Sequence, residues 1–286
     1  MMIFTTTQNK AENKETTTDK KKTAVKAGDI LVRLTAVLFW IGVWWACSAA
    51  VGKEILLPSP PAVLRTLAGL CAGREFWLYC GGSLLRIMAG VASGLIAGAA
   101  LGALMYASPL LRRLFDPLLS IIKATPVASF IILALVWIKS MLMPVFIAFL
   151  IVLPIVCSNI YEGLRSTDRQ LSEMCDMYGI TGAKRAAALY LPSAVSYALA
   201  AGRAALGLAW KAGVAAEFIG RTARSIGNML YQSKLYLETA DLFAWTAAVV
   251  ILSRLLEAAV FRLADTLSRR FSLSTDDEER EYDNDK

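Results

Sequence analysis

An all-α bundle of about six membrane-spanning helices is the fold class this sequence predicts, and three observations predict it. The first is composition: 56% of the 286 residues are hydrophobic, against roughly 45–50% in ordinary soluble domains. The second is that the excess falls in runs of about 20 residues, the length a helix needs to cross the hydrocarbon core of a bilayer. Six such runs stand at 31–51, 84–107, 118–138, 142–161, 195–216 and 242–264. The third is where the basic residues fall. Lys10, Lys14, Lys20, Lys21, Lys22 and Lys26 precede the first run, Arg112 and Arg113 follow the second, Arg165, Arg169, Lys184 and Arg185 follow the fourth, and Arg262, Arg269 and Arg270 end the sixth. These are alternate loops, so the positive-inside rule puts both termini in the cytoplasm. The same rule accounts for the net charge of +7, which leaves lipid headgroups as the anionic neighbour and gives no reason to invoke nucleic acid.

Taken in order, residues 1–27 are rich in lysine and threonine. They are too long and too polar for a signal-peptide n-region, and the run behind them exceeds an h-region; a disordered leader and a retained first helix are expected. Trp44, Trp45, Trp137, Trp210 and Trp245 fall in the outer halves of their runs under this topology, as an interfacial belt requires. In the second run Gly90, Gly94, Gly98 and Gly102 recur every four residues and form one ridge, against which another helix backbone can approach closely. In the third run Lys123 lies three residues before Pro126, which removes a backbone hydrogen bond and kinks a helix.

The fifth run is built of small residues around Gly207 and holds Arg203 and Lys211, eight apart and expected on one face. A charge at membrane depth costs about 2.5–3.5 kcal/mol on the insertion scale. Two readings are open: these cations and Lys123 line a path for an anionic or polar solute, or they snorkel to the interfaces. Glu217, at the end of the run, has Lys211 and Arg221 as candidate partners. The acidic stretch 276–286 is expected to be a solvated, disordered end. Cys47, Cys71, Cys80, Cys157 and Cys175 lack metal-type spacing and the chain has no histidine, which argues against a zinc site or a histidine-based mechanism. Cys71 and Cys80 either meet in an outer loop or remain unpaired small residues.

Between the fourth and fifth runs lies a short polar stretch. Thr167 and Gln170 fit a capping box, so a helix is expected to start near Asp168. Leu171, Met174, Cys175 and Tyr178 fall at i, i+3, i+4 and i+7 and make one apolar face, with Ser172, Glu173 and Asp176 directed elsewhere. Gly179 is a stop that accepts the left-handed conformation, and a second short segment, 183–190, runs to Pro192. The apolar face can lie on a membrane surface or enter a protein groove, and the acidic edge favours the groove.

These residues carry a resemblance. Glu173, Gly179, Leu189, Leu191 and Pro192 stand at the spacings of the EAA loop of binding-protein-dependent ABC transporter permeases: Glu-Ala-Ala, three residues, Gly, nine residues, Ile-x-Leu-Pro. Met174 and Cys175 replace the two alanines and Leu189 the isoleucine. Leu57-Pro58-Ser59-Pro60, Ser83-Leu84-Leu85-Arg86, Ala209-Trp210-Lys211 and Ala215-Ala216-Glu217 are similar to the nitrate, sulfonate and taurine branch. Where that branch often has a second proline after the one matched by Pro126, this chain has Phe130 and Ile131.

The resemblance implies a type I ABC importer permease fold. The expected organisation is a first transmembrane helix and outer loop over 28–82, a permease core 83–272 with a cytoplasmic coupling loop 162–192, and a disordered acidic tail 273–286. The implied setting is the bacterial plasma membrane. The implied partners are a second permease copy, an ABC ATPase subunit that binds ATP and Mg²⁺, and an extracytoplasmic solute-binding protein. The coupling residues would be Leu171, Glu173, Met174, Tyr178, Gly179, Leu189, Leu191 and Pro192, and the path residues Lys123, Pro126, Arg203, Lys211 and Glu217. The cargo would be a small anionic or polar solute such as a sulfonate, nitrate or a vitamin precursor. The chain has no Gly-x-x-x-x-Gly-Lys-Ser/Thr sequence of its own, so no cofactor and no enzymatic activity are expected in it. An ion-coupled secondary transporter is the alternative, and it would need intramembrane carboxylates, of which Glu217 and Glu257 are the only candidates.

Overall fold

Glycine at every fourth position decides the first packing contact. In the computed structural model, which describes residues 32, 34–167, 169–185 and 189–284, helix α3 (Arg74–Ala107) lies along helix α6 (Met143–Arg165). All four glycines of the ridge are buried in that seam. A Cβ on Gly90 would run into the Val145 carbonyl and stand 2.7 Å from Ala148 Cβ. One on Gly94 would stand 2.8 Å from Val152 Cβ, one on Gly98 2.8 Å from the Leu153 carbonyl oxygen, and one on Gly102 2.7 Å from the Cys157 carbonyl oxygen. The partner of the ridge is therefore α6 along four turns, backbone against backbone.

Helix α9 (Leu191–Gly220) completes the core. Its alanines 201, 205, 209 and 216 are buried, and a Cβ on Gly213 would come within 2.6 Å of Ile87 on α3. Ile87, Val152, Val156, Leu206, Trp210 and Trp245 form the centre of one apolar cluster. Helix α11 (Thr239–Asn284) packs on α9, where the Trp210 indole N–H donates to the Val249 carbonyl at 3.1 Å. Trp245 stacks on Phe76 at 5.1 Å. Trp210 and Trp245 are 1% exposed, so these two belong to the core and not to the expected interfacial belt; Trp45 and Trp137 are exposed. Position along a run reports depth in the membrane, but not which way the indole faces.

The remaining elements are α1 (Leu34–Val51), α2 (Pro60–Ala72), α4 (Pro109–Ala124), α5 (Val127–Ala134), α7 (Arg169–Met177), α8 (Gly182–Arg185) and α10 (Ile226–Leu235). The chain divides into two compact units, 1–65 and 66–286. Residues 66–82, expected to go with the first helix, pack with the core through Phe76 and Cys80. Helix α3 accordingly begins ten residues before the run at 84. The five cysteines are free thiols.

The third run is not one helix. Thr125 takes extended backbone angles, φ −76° and ψ 129°, as a residue before proline prefers, and its hydroxyl donates to the Ile121 carbonyl at 2.7 Å. Helices α4 and α5 meet across Thr125 and Pro126 at 103°, a turn far sharper than the expected kink. Among the described residues four helices are long and apolar enough to cross a membrane, five if this bent pair makes one crossing. Helix α9, thirty residues and so about 45 Å long, has the length of a sixth but is built of alanine and glycine around Arg203, Lys211 and Glu217. The predicted all-α bundle of about six spans holds in outline.

The leader 1–27 lies outside the described residues. At the other end α11 continues to Asn284, where the sequence suggests a disordered tail. Neither proline nor glycine interrupts 239–284, and glutamate is a good helix former.

Candidate functional site

Three places collect the residues singled out by sequence. The first is the loop between α6 and α9, and it stands on a joint. At the end of α6 a Cβ on Gly163 would lie 2.7 Å from the ring of Tyr197 on α9. The Ser166 hydroxyl lies 3.1 Å from the Tyr197 hydroxyl. The two helices that flank the loop are thus in contact directly beneath it.

On this joint sits α7. Asp168 lies outside the described residues, and the Thr167 hydroxyl donates to the Leu164 carbonyl at 2.9 Å, which ties Thr167 back to α6. The helix ends at Gly179, φ +66°, where the Ile180 N–H returns to the Cys175 carbonyl at 2.8 Å, a left-handed stop of the expected kind. The inner edge of α7 is held by Arg185. Its guanidinium pairs with the Asp176 carboxylate and donates to the Ser172 hydroxyl at 2.6 Å, and the bond to Asp176 raises the Arg185 pKa above its ordinary range. Ser172 and Cys175 are half-buried on this edge, while Leu171, Glu173, Met174 and Tyr178 are exposed. Met177, absent from the predicted face, is the most exposed of its apolar residues at 86%.

The second half of the loop is less regular than expected. Helix α8 is one turn, residues 186–188 lie outside the described residues, and Leu189 is buried. Tyr190 packs near Tyr106 of α3, ring centres 5.8 Å apart. Leu191 is exposed and Pro192 sits in the first turn of α9, where its missing N–H costs nothing.

The second place is a cavity of about 560 Å³ at the break between α4 and α5, walled by those helices, α6 and α9. Of its seventeen lining residues only Lys123, Thr125 and Lys211 carry polar side chains. The Lys123 ammonium donates to the Ser158 hydroxyl at 2.7 Å. Lys211 has no hydrogen bond or ion pair among the described residues.

The remaining cation and the acid of the predicted path, Arg203 and Glu217, lie elsewhere. Arg203 lies over the ring of Phe261 on α11, 5.4 Å from its centre. The eight residues from Arg203 to Lys211 leave about 80° of offset at 3.6 residues per turn, enough to send the two to different neighbours. Pro126 makes the break but is not among the lining residues.

The third place is where Glu217 is found. It is fully buried, and its partner is neither Lys211 nor Arg221. Its carboxylate accepts from the Ser83 hydroxyl at 2.7 Å, from Arg86 Nε and Nη2 at 3.2 and 3.1 Å, and from the Gly227 N–H at 3.3 Å. Arg86 Nη2 also donates to the Arg224 carbonyl at 3.1 Å, and the Ile226 N–H donates to Ser83 Oγ at 3.0 Å. The knot joins α3, the end of α9 and the start of α10. Its signal was present in sequence as two separate fragments, 83–86 and 215–217; what was missing was that they meet.

A bundle of apolar helices of membrane-crossing length with a structured polar loop between two of them defines a polytopic integral membrane protein. The chain belongs to the family of binding-protein-dependent transport system inner membrane components, whose model matches residues 90–273. It is a multi-pass inner-membrane permease of that family. It is 26% identical over 258 residues to the taurine transport system permease protein TauC of Escherichia coli, covering 87% of this chain and 90% of the relative. It is 29% identical over 224 residues to the putative aliphatic sulfonates transport permease protein SsuC of the same organism, covering 77% and 82%. Among solved structures it shares its fold with an amino acid ABC transporter, crystallised with histidines, at a TM-score of 0.58 and 17% identity, over 71% of this chain and 97% of that one.

Proposed function

We propose that this chain forms the solute pathway of an ATP-binding-cassette importer and receives its driving force from a separate ATPase through α7. The observation that carries this is the unpartnered face of Leu171, Met174, Met177 and Tyr178, presented by a helix that Arg185 fixes from behind and that stands on the Gly163 and Tyr197 joint. An exposed apolar helix face on a braced support suits a groove in another protein. Glu173 lies on the exposed edge of that helix. On this reading the loop and both termini are cytoplasmic, ATP and Mg²⁺ belong to the ATPase, and a binding protein delivers solute on the other side. A second copy of the chain completes the pathway. The cargo is a small anionic or polar solute such as a sulfonate, nitrate or a vitamin precursor. Ion-coupled transport is disfavoured, because Glu217 is taken by Arg86 and Glu257 by Ser253 and Arg254.

The test is co-purification. The native chain is expected to bring down its ATPase subunit, and Glu173→Lys and Gly179→Pro are expected to remain in the membrane while losing that subunit and solute uptake. Equal recovery of the ATPase with both variants, or none with the native chain, overturns the proposal.

A further inference from the structure

Helix α11 turns a cation away from the bundle. Its stretch Thr239–Arg262 has membrane-crossing length, and Arg254 stands inside it, about 12 Å along the axis from Arg262. The Arg254 side chain is 81% exposed. Val250, Ile251 and Leu255 beside it are exposed as well, so the guanidinium shares the lipid-facing side with aliphatic residues. A charge at the centre of a span costs about 2.5–3.5 kcal/mol on the insertion scale. Among the described residues the guanidinium has one polar partner, the Glu257 carboxylate at 3.5 Å. That carboxylate is shared: it also accepts from the Ser253 hydroxyl at 3.5 Å, and a Cβ on Gly207 of α9 would stand 2.8 Å from its Oε1. Snorkelling does not release the cation, since an extended arginine reaches only about 7 Å from its Cα. The remaining N–H donors of Arg254 are therefore left to hydrocarbon unless an acceptor comes to them.

The surroundings say which acceptor. Phe261 lies two turns along the same face, at i+7 from Arg254, and Arg203 of α9 stands over its ring at 5.4 Å. Arg262 is exposed at the end of the stretch. Arg203, Arg254 and Arg262 thus gather toward one end of α11 with the single carboxylate of Glu257 among them. Ala258 and Ala259, between Arg254 and Arg262, are small and exposed, which leaves the approach to Arg254 from that end open. We infer that this face of α11 binds an anionic phospholipid, its phosphate drawn to Arg254 and flanked by Arg203 and Arg262, its acyl chains lying along Val250, Ile251 and Leu255. A guanidinium matches a phosphate in bidentate geometry, and basic pockets between spans hold anionic headgroups. A second copy is a poorer occupant. A twofold axis along the membrane normal would set Arg254 opposite Arg254 at one depth, like charge against like charge. The lipid site goes beyond the reading of the bundle as a solute pathway and stands without it; the proposed orientation only assigns it to the cytoplasmic leaflet.

The full chain, purified in dodecylmaltoside, is titrated with phosphatidylglycerol and with phosphatidylcholine, and lipid-bound species are resolved by native mass spectrometry. The first phosphatidylglycerol is expected to bind about tenfold more tightly than phosphatidylcholine, and inorganic phosphate is expected not to displace it. Arg254→Met should weaken phosphatidylglycerol binding about tenfold, on the order of a lost charge-assisted hydrogen bond, and leave phosphatidylcholine binding unchanged. Arg254→Lys should keep the preference for the anionic lipid, which excludes misfolding as the cause. Equal affinity for the two lipids, or phosphatidylglycerol binding unaltered by Arg254→Met, overturns the proposal. Displacement of the lipid by inorganic phosphate overturns it too, since the site then takes the free anion. A dimer that Arg254→Met dissociates, with no dependence on lipid, overturns it in favour of a second copy on this face.

Discussion

Replacing Arg86 by methionine should be the most damaging single change at the Glu217 knot. The guanidinium is 17% exposed and the carboxylate 0%, so the substitution leaves a buried charge with its two hydrogen bonds from Arg86 gone and only Ser83 and the Gly227 N–H still donating. Stranding one member of a buried ion pair costs about 3–5 kcal/mol. Removing both charges, Arg86→Met with Glu217→Met, removes the stranded carboxylate; the Ser83 hydroxyl it leaves can rotate to a carbonyl one turn back on its own helix, whereas the Gly227 N–H is orphaned at a cost of about 1–3 kcal/mol. The double variant should therefore be more stable than Arg86→Met alone by about 2 kcal/mol, the difference between the midpoints of those two ranges. Unfolding of the purified chain in mixed dodecylmaltoside and sodium dodecyl sulfate micelles, followed by circular dichroism, measures all four corners of the cycle. Should the double variant prove no more stable than Arg86→Met, the carboxylate's energy lies with Ser83 and Gly227, and the reasoning from the ion pair fails.

Two further outcomes follow from the packing. Gly90→Ala is expected to cost about 1–3 kcal/mol or to block assembly, because its methyl group meets the Val145 backbone carbonyl and cannot be relieved by a side-chain rotation. Gly81→Ala, which meets nothing within 4 Å, should be neutral or stabilising by up to about 1 kcal/mol from its helix position alone, and equal effects of the two in the same micelle assay would contradict the seam. Arg185→Ala is expected to leave the fold intact but free α7 from its brace to Asp176 and Ser172. A spin label at residue 174 should then become more mobile; an unchanged spectrum would show that Arg185 does not hold the helix.

The parts of this molecule that were readable in sequence are those governed by local period or by a residue with one dominant conformational effect. The glycine ridge, the apolar face of α7, the stop at Gly179 and the break at Pro126 are of this kind. What was not readable depended on partners far apart in the chain. Glu217 finds Arg86 at a separation of 131 residues, and no helical period connects them. Arg203 and Lys211 share a face only approximately, and α11 on one side and the α4 to α6 wall on the other decide between them. Trp210 and Trp245 show the same limit, since a tryptophan near an interface and a tryptophan in a core are identical until the neighbouring helix is known. The angle of the Pro126 break was likewise hidden, because proline dictates that a helix stops and the packing of α5 on α6 and α9 dictates where the chain goes next.

The three places are mechanically connected through two helices. Helices α6 and α9 meet at the Gly163 and Tyr197 joint beneath the loop, and the same two helices supply much of the cavity wall, including Ile147, Pro154, Lys211 and Ala215. The glycine seam binds α6 to α3 at backbone distance, so α6 cannot slide without α3. At its far end α9 is tied to α3 again by Glu217 and Arg86. On the proposed reading, a displacement delivered by the ATPase to α7 would enter a helix fixed at its opposite end. The response open to α9 is a tilt about the Glu217 knot, since translation would break buried hydrogen bonds there. Lys211 lies six residues from that pivot and Tyr197 twenty, so motion at the loop reaches the cavity reduced to about a third by the lever ratio at constant rise per residue. Ala212 and Ala216 also pack against α5 through Ile131 and Ala134, which places the movable wall of the cavity against the one helix that the proline break has already detached from α4.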